Sequence, residues 1–307
     1  MRWPNRVRIR EVGPRDGLQS ESSTIATSDK IELIDSLSDT GLRFIEAVAF
    51  VSPRAVPQMA DARAVWAGID RRPEVFYSAL VPNQRGAETA IDCGVDGIQV
   101  FIASTDSYNL KNVGRTVEES LLDVAKVAAA ATSAGIPVAG TISTALGCPY
   151  EGEVAPERVV ELSSRLVDEG ITSISFGDTT GMGSPRRVGE VVVALRTELP
   201  EVEINMHFHD TRGTGLANVV AALELGVDFF DASVGGMGGS PFATGATGNI
   251  ATEDLVHMLI DMNIETGVDL DRLLDVADFA QELVGAPLPG KLLRAGPRWQ
   301  VAGPVRR

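Results

Sequence analysis

Short β-branched runs alternate along the chain with stretches whose apolar residues recur every three or four positions. The runs fall at 7–12, 44–50, 75–81, 97–103, 136–143, 172–176, 203–208 and 229–234, which gives eight candidate strands. Helical spacing is clearest at 31–37, 121–131, 159–167, 188–195 and 216–225. Gly41, Gly94, Gly135, Gly170 and Gly226 follow helical stretches, as expected of the residue just past a helix C-terminus. Further helices are predicted at about 252–262 and 270–284, and the Pro- and Arg-rich segment 285–307 is expected to wrap the surface or an oligomer contact.

Strand–helix alternation repeated eight times predicts an α/β fold, a TIM (β/α)8 barrel with extra C-terminal helices. A doubly wound open sheet is the competing architecture, but it usually carries a Gly-rich fingerprint after its first strand, and Gly-Pro-Arg-Asp-Gly-Leu-Gln at 13–19 is not one. With no linker in view, the 307 residues are expected to form one domain: a barrel over about 6–250 and a helical extension over about 251–307.

Charge narrows the partners. A net charge of −15 disfavours nucleic acid, whose binding needs Lys and Arg on phosphates, and disfavours an anionic membrane surface. A small anionic substrate remains compatible through a local cation. Cys93 and Cys148 make no C-x-x-C motif or disulfide framework. The N-terminal residues lack the apolar run of a signal peptide and no stretch approaches a membrane span, so a cytoplasmic location is expected.

In this architecture chemistry gathers at the C-terminal ends of strands. Arg15 and Asp16 follow the first strand, Glu46 lies in the second, Asp178 follows the sixth, and His207 and His209 end the seventh. Residues two apart on a strand share a face, so the His-Phe-His spacing aims both imidazoles at one point. Together with an Asp from elsewhere they suit Mg2+, Mn2+, Fe2+ or Zn2+, although a pair of core histidines gives the same short pattern. After the eighth strand, the glycine-rich stretch 235–249 permits close approach to a ligand and movement, and its Met237, Pro241 and Phe242 distinguish it from a solvated linker.

The segments Glu-Val-Gly-Pro-Arg-Asp-Gly-Leu-Gln at 11–19, Ile-Glu-Ala-Val-Ala-Phe-Val-Ser-Pro at 45–53, Ala-Leu-Gly-Cys-Pro-Tyr-Glu-Gly at 145–152, His-Phe-His-Asp-Thr at 207–211 and Asn-Ile-Ala-Thr-Glu-Asp at 249–254 resemble motifs of the 3-hydroxy-3-methylglutaryl-CoA lyases. The resemblance runs from about Val7 to about Leu283. It implies a TIM barrel that holds a divalent cation, Mg2+ or Mn2+, on Asp16, His207, His209 and Asn249. It also implies cleavage of 3-hydroxy-3-methylglutaryl-CoA to acetyl-CoA and acetoacetate, with Arg15, Glu46, Asp178 and Glu253 as further active-site groups and a homodimer as the favoured assembly. Arg15 is expected to stabilise the enolate and Asp178 to accept the hydroxyl proton, because Asp16 would be occupied by the cation. Substrate contacts are expected from Arg15, Gln19, Lys111, Asn112, Thr180 and Arg212, with a solvated surface side chain the equal alternative for Arg212 and the more common explanation for Lys111.

One position departs from the family pattern. Ser240 stands where the family's loop carries the cysteine held to protonate the enolate, and an alcohol is a weaker acid than a thiol by several pKa units. This points to proton relay by Ser240, to another acid, or to a different 3-hydroxy acyl-CoA or hydroxy acid on the same scaffold. A condensing acyltransferase of the isopropylmalate synthase kind and a non-catalytic paralogue are the remaining alternatives. The first of these usually carries an extra C-terminal domain, and the second has no need of the Arg15/Asp16/His207/His209/Asn249 set.

Overall fold

The computed structural model describes residues 3–239 and 248–300. Eight parallel strands close into a barrel in sequence order: β1 (Arg8–Glu11), β2 (Phe44–Ala49), β3 (Phe76–Leu80), β4 (Gly97–Ala103), β5 (Val138–Ser143), β6 (Ser173–Asp178), β7 (Glu203–Phe208) and β8 (Phe229–Ala232). All eight candidate strands are present, so the TIM-barrel expectation stands and the open sheet falls: β1 pairs with both β2 and β8, leaving no edge.

The helices between them are α1 (Thr27–Ser38), α2 (Ala62–Gly68), α3 (Gln84–Cys93), α4 (Asp106–Val113), α5 (Val117–Ser133), α6 (Pro156–Asp168), α7 (Pro185–Glu198) and α8 (Gly215–Glu224). Beyond β8 come α9 (Thr252–Asp261), α10 (Leu270–Val284) and the single turn α11 (Leu292–Ala295). Helix spacing does not reveal α2 and α4, which are two turns long and carry few apolar repeats. Local chemistry still marks α4: Thr105 accepts a hydrogen bond from the Tyr108 amide at its N-terminus and Gly114 ends it in the left-handed region.

The main apolar core lies between sheet and helices. Ile98, Val100 and Ile102 of β4, Ile174 and Phe176 of β6, and Met206 and Phe208 of β7 all face outward and are buried there. The tail beyond α11 packs on α9, where Trp299 stacks on His257 at 5.0 Å between ring centroids and the Arg298 amide donates to His257 Nε2. That contact occupies the third histidine of the chain.

The lumen is built differently. A TIM barrel usually fills it with branched apolar side chains. Here each strand contributes a polar residue near its middle or end: Arg10, Glu46, Ser78, Gln99, Thr141, Ser175, Asn205 and Asp231, all but Thr141 buried. No helix among the described residues is long and apolar enough to cross a membrane.

Candidate metal centre and catalytic cavity

A π-helical turn at Gly13–Gly17 follows β1 and carries Arg15 and Asp16 to the C-terminal mouth of the barrel. The Asp16 and Gly17 amides both donate to the Val12 carbonyl, which fixes the turn. Gly13 is required by space, since a Cβ there would lie 2.6 Å from a Glu11 carboxylate oxygen. That oxygen accepts from the Gly13 and Val234 amides while the other accepts from Thr252, so buried Glu11 ties the ends of β1, β8 and α9 together.

His207 lies in β7, and His209 lies just past its end in an antiparallel bridge to Asn249. Residues 248–252 insert between the ends of β7 and β8: the Ile250 amide donates to the Phe208 carbonyl and the Ser233 amide to the Ile250 carbonyl. Gly248 lets the chain pass, for a Cβ there would meet the Gly236 carbonyl oxygen at 2.0 Å. Asn249 is thereby delivered beside His209 although they are forty positions apart in sequence.

Asp16, His207 and His209 each offer a ligand atom, all within 4.8 Å of one another. The two imidazole Nε2 atoms are 3.1 Å apart. Asp16 accepts from Arg15 and Gln19 on Oδ1 and from Asn249 Nδ2 on Oδ2. Asn249 Nδ2 also donates to the Met237 carbonyl, leaving its buried Oδ1 without a partner among the described residues. Two converging imidazoles, a carboxylate and an orphaned amide oxygen fit a divalent cation. Burial pushes the Asp16 carboxyl up, but Arg15 and both histidines outweigh this and hold it below the ordinary range. Burial pulls His207 down, but its bond to Asp231 and the charges of Asp231 and Asp16 raise it overall.

Arg15 donates from Nε to Glu46 and from NH1 to Asp16. Its NH2 group makes no hydrogen bond among the described residues. Both arginine and cluster line a cavity of about 550 Å3 with Arg10, Thr141 and Asp231 on its floor. Leu80, Phe101 and Val113 form an apolar wall, and Asn112 and Arg115 lie toward the mouth.

The structure brings Arg15, Asp16, Gln19, Glu46, Asn112, His207 and His209 to this cavity and leaves other expected residues outside its lining. Asp178 continues the outward face of β6 and accepts from the Met182 and Gly183 amides, while its buried Oδ2 has no partner among the described residues. Burial pushes its pKa up to about 7. Arg212 donates to the Thr180 and Gly181 carbonyls, so Thr180 and Arg212 brace the loop after β6 against the loop after β7. Lys111 is exposed on α4. Glu253 is buried behind the glycine-rich loop, accepts from the Gly235 amide and has its pKa pushed up to about 8 by burial. Ser240 lies outside the described residues, as do Pro241 and Phe242. Sequence reasoning passed over Asp231, Arg10 and Glu11. The available signal was polar residues at alternate positions of strands expected to be apolar throughout.

A closed parallel barrel with an Asp–His–His cluster at its strand ends defines a TIM-barrel protein equipped to hold a divalent cation. The HMGL-like family model matches residues 6–280. The chain is 47% identical to hydroxymethylglutaryl-CoA lyase YngG of Bacillus subtilis, over 96% of this chain and 98% of that protein. It is 48% identical to the mitochondrial hydroxymethylglutaryl-CoA lyase of Gallus gallus, over 90% of this chain and 93% of that protein. The solved structure of an HMG-CoA lyase from Acinetobacter baumannii, in complex with coenzyme A and 3-methylmalate, superimposes with a TM-score of 0.94 at 38% identity, covering 99% of both chains. The chain belongs to the HMGL-like family.

Proposed function

We propose that the protein is a divalent-metal-dependent carbon–carbon lyase that cleaves 3-hydroxy-3-methylglutaryl-CoA to acetyl-CoA and acetoacetate. The observation that carries this reading is the convergence of Arg15 with Asp16, His207 and His209 on one cavity, in a chain 47% identical to YngG. Asp16, His207, His209 and Asn249 would hold a Mg2+ or Mn2+ ion, which would supply Lewis acidity toward a substrate hydroxyl.

Cleavage requires that the C3 hydroxyl lose its proton, that the departing thioester be held as an enolate, and that the enolate be protonated. Arg15 answers the second need. Its charge is fixed by Glu46 and Asp16, and its remaining NH2 donors are available for the enolate oxygen, where a preorganised cation is worth most. Asp178 is the group we assign to proton acceptance. Its pKa of about 7 suits the task and its Oδ2 is an unused acceptor. Asp178 lies outside the cavity lining, so this assignment requires a proton relay between it and the substrate hydroxyl. The apolar wall suits the pantetheine arm of CoA, and Asn112 and Arg115, with Lys111 beside them, suit its phosphates. We also infer a homodimer in the cytoplasm; a monomer mass in light scattering would remove the dimer.

Ser240 motivates a second reading, a lyase of the same family acting on a different 3-hydroxy acyl-CoA. Both are tested by assaying 3-hydroxy-3-methylglutaryl-CoA cleavage with Mg2+ or Mn2+ in wild type, Ser240→Cys and Asp178→Asn. Wild-type turnover that loses its acid limb in Asp178→Asn is the expected result. Silence in both wild type and Ser240→Cys would favour the second reading.

A further inference from the structure

Asp231 lies in β8, paired in register with His207 of β7, 3% exposed, and none of the catalytic steps above uses it. Its carboxylate is surrounded by side chains from three other strands, β1, β6 and β7. Oδ1 accepts from Arg10 Nε at 2.9 Å and Asn205 Nδ2 at 2.8 Å. Oδ2 accepts from Arg10 NH2 at 2.8 Å and Ser175 Oγ at 3.0 Å. The fifth contact runs from His207 Nδ1 to Oδ2 at 3.2 Å. Arg10 in turn donates from NH1 to Gln99 at 2.7 Å, and Gln99 donates to Thr141 at 2.7 Å. The polar layer is therefore one network through β1, β4, β5, β6, β7 and β8.

Arg10 already neutralises Asp231, and Asn205 and Ser175 already occupy its lone pairs. The contact with His207 is not needed to bury the carboxylate. What it does is local to the ring. An acceptor held on Nδ1 keeps the hydrogen on that nitrogen, and a neutral ring then presents its lone pair on Nε2. Nε2 is the atom that faces His209 Nε2 at 3.1 Å and shares a point with Asp16. We propose that Asp231 is a positioning residue of the metal centre, held by Arg10, Asn205 and Ser175 so that it fixes the tautomer and tilt of His207 for cation binding. This rests on the metal reading given under the proposed function. Such outer partners typically change metal affinity about 10- to 100-fold.

The test uses the purified full chain and Mn2+ alone. Two-dimensional 1H–15N spectra of the metal-free protein at alkaline pH, where the ring is neutral, should show His207 as the Nδ1–H tautomer. Titration calorimetry should give a Mn2+ Kd about 10- to 100-fold weaker for Asp231→Asn. Ser175→Ala, which also removes a bond to Asp231 but spares the imidazole, should stay within about twofold of wild type, the level expected of a general loosening of the layer rather than loss of the His207 contact. An Nε2–H tautomer in the wild type overturns the proposal. So does wild-type Mn2+ affinity in a folded Asp231→Asn, or an equal loss in Ser175→Ala. Should Asp231→Asn not fold, the wild-type spectrum decides alone. A wild type that binds no Mn2+ would instead overturn the metal reading itself.

Discussion

At the scale of single residues, burial sets opposite charge states for neighbouring carboxylates. Asp16 is kept ionised by Arg15 and the two imidazoles, whereas Glu11 and Glu253, with no cation against them, have their pKa pushed up to about 7 and about 8. Glu253 has the simpler surroundings: Oε2 accepts from the Gly235 amide and Oε1 has no partner among the described residues. Its folded pKa lies above its ordinary 4.5, so the unfolded chain loses this proton first as pH rises. The stability it contributes is full below pH 4.5 and is lost progressively up to about 8. Glu253→Gln, which copies the protonated acid, should flatten the fall in stability over that window. Urea midpoints measured across it check this; an unchanged slope would show that other groups set the pH dependence.

At the scale of elements, several helix ends are fixed by local chemistry. α5 opens with a capping box: the Thr116 hydroxyl accepts from the Glu119 amide, and the Glu119 carboxylate accepts from the Thr116 amide. Asp106 adds an acceptor for the Val117 amide. Thr116→Ala should cost about 1 kcal/mol of stability without altering turnover, since Thr116 is outside the cavity lining. Thermal melts and the cleavage assay, read together, would expose any coupling to the α4–α5 turn at the cavity mouth. The segment 248–252 behaves otherwise. Its register comes from pairing with the ends of β7 and β8, so nothing in its own sequence announces where Asn249 will point.

At the scale of the whole molecule, closure of the barrel couples the metal cluster to the fold. The candidate ligands Asp16, from the turn after β1, and His207 and His209, at the end of β7, come together in the closed barrel with Asn249 from the segment beyond β8 bonded to Asp16. A cation that binds the folded chain alone must then stabilise it, by about 2.7 kcal/mol at a hundred times its Kd. Mn2+ should raise the melting temperature by several degrees and a chelator should reverse this. We propose further that barrel and C-terminal helices unfold as one unit, because α9 and α10 pack on the barrel end through Leu255, Leu259, Leu273 and Ala277. Calorimetry showing two separate transitions would refute the single unit.

The sequence by itself determined the eight strands, the flanking helices with strong periodicity, and the strand-end positions of Arg15, Asp16, His207 and His209, because alternation, spacing and turn chemistry are local. The short helices α2 and α4 escaped because two turns hold too few apolar repeats to declare a face. Only the tertiary structure decided which polar residues meet. Arg10 and Asp231 are 221 positions apart, and Asn249 and Asp16 are 233 apart. Their contacts exist because a closed sheet joins its first strand to its last. The same closure turned Asp178 toward the loop after β6 and gave Asp231 its imidazole, since side-chain direction on a strand follows the register of the whole barrel.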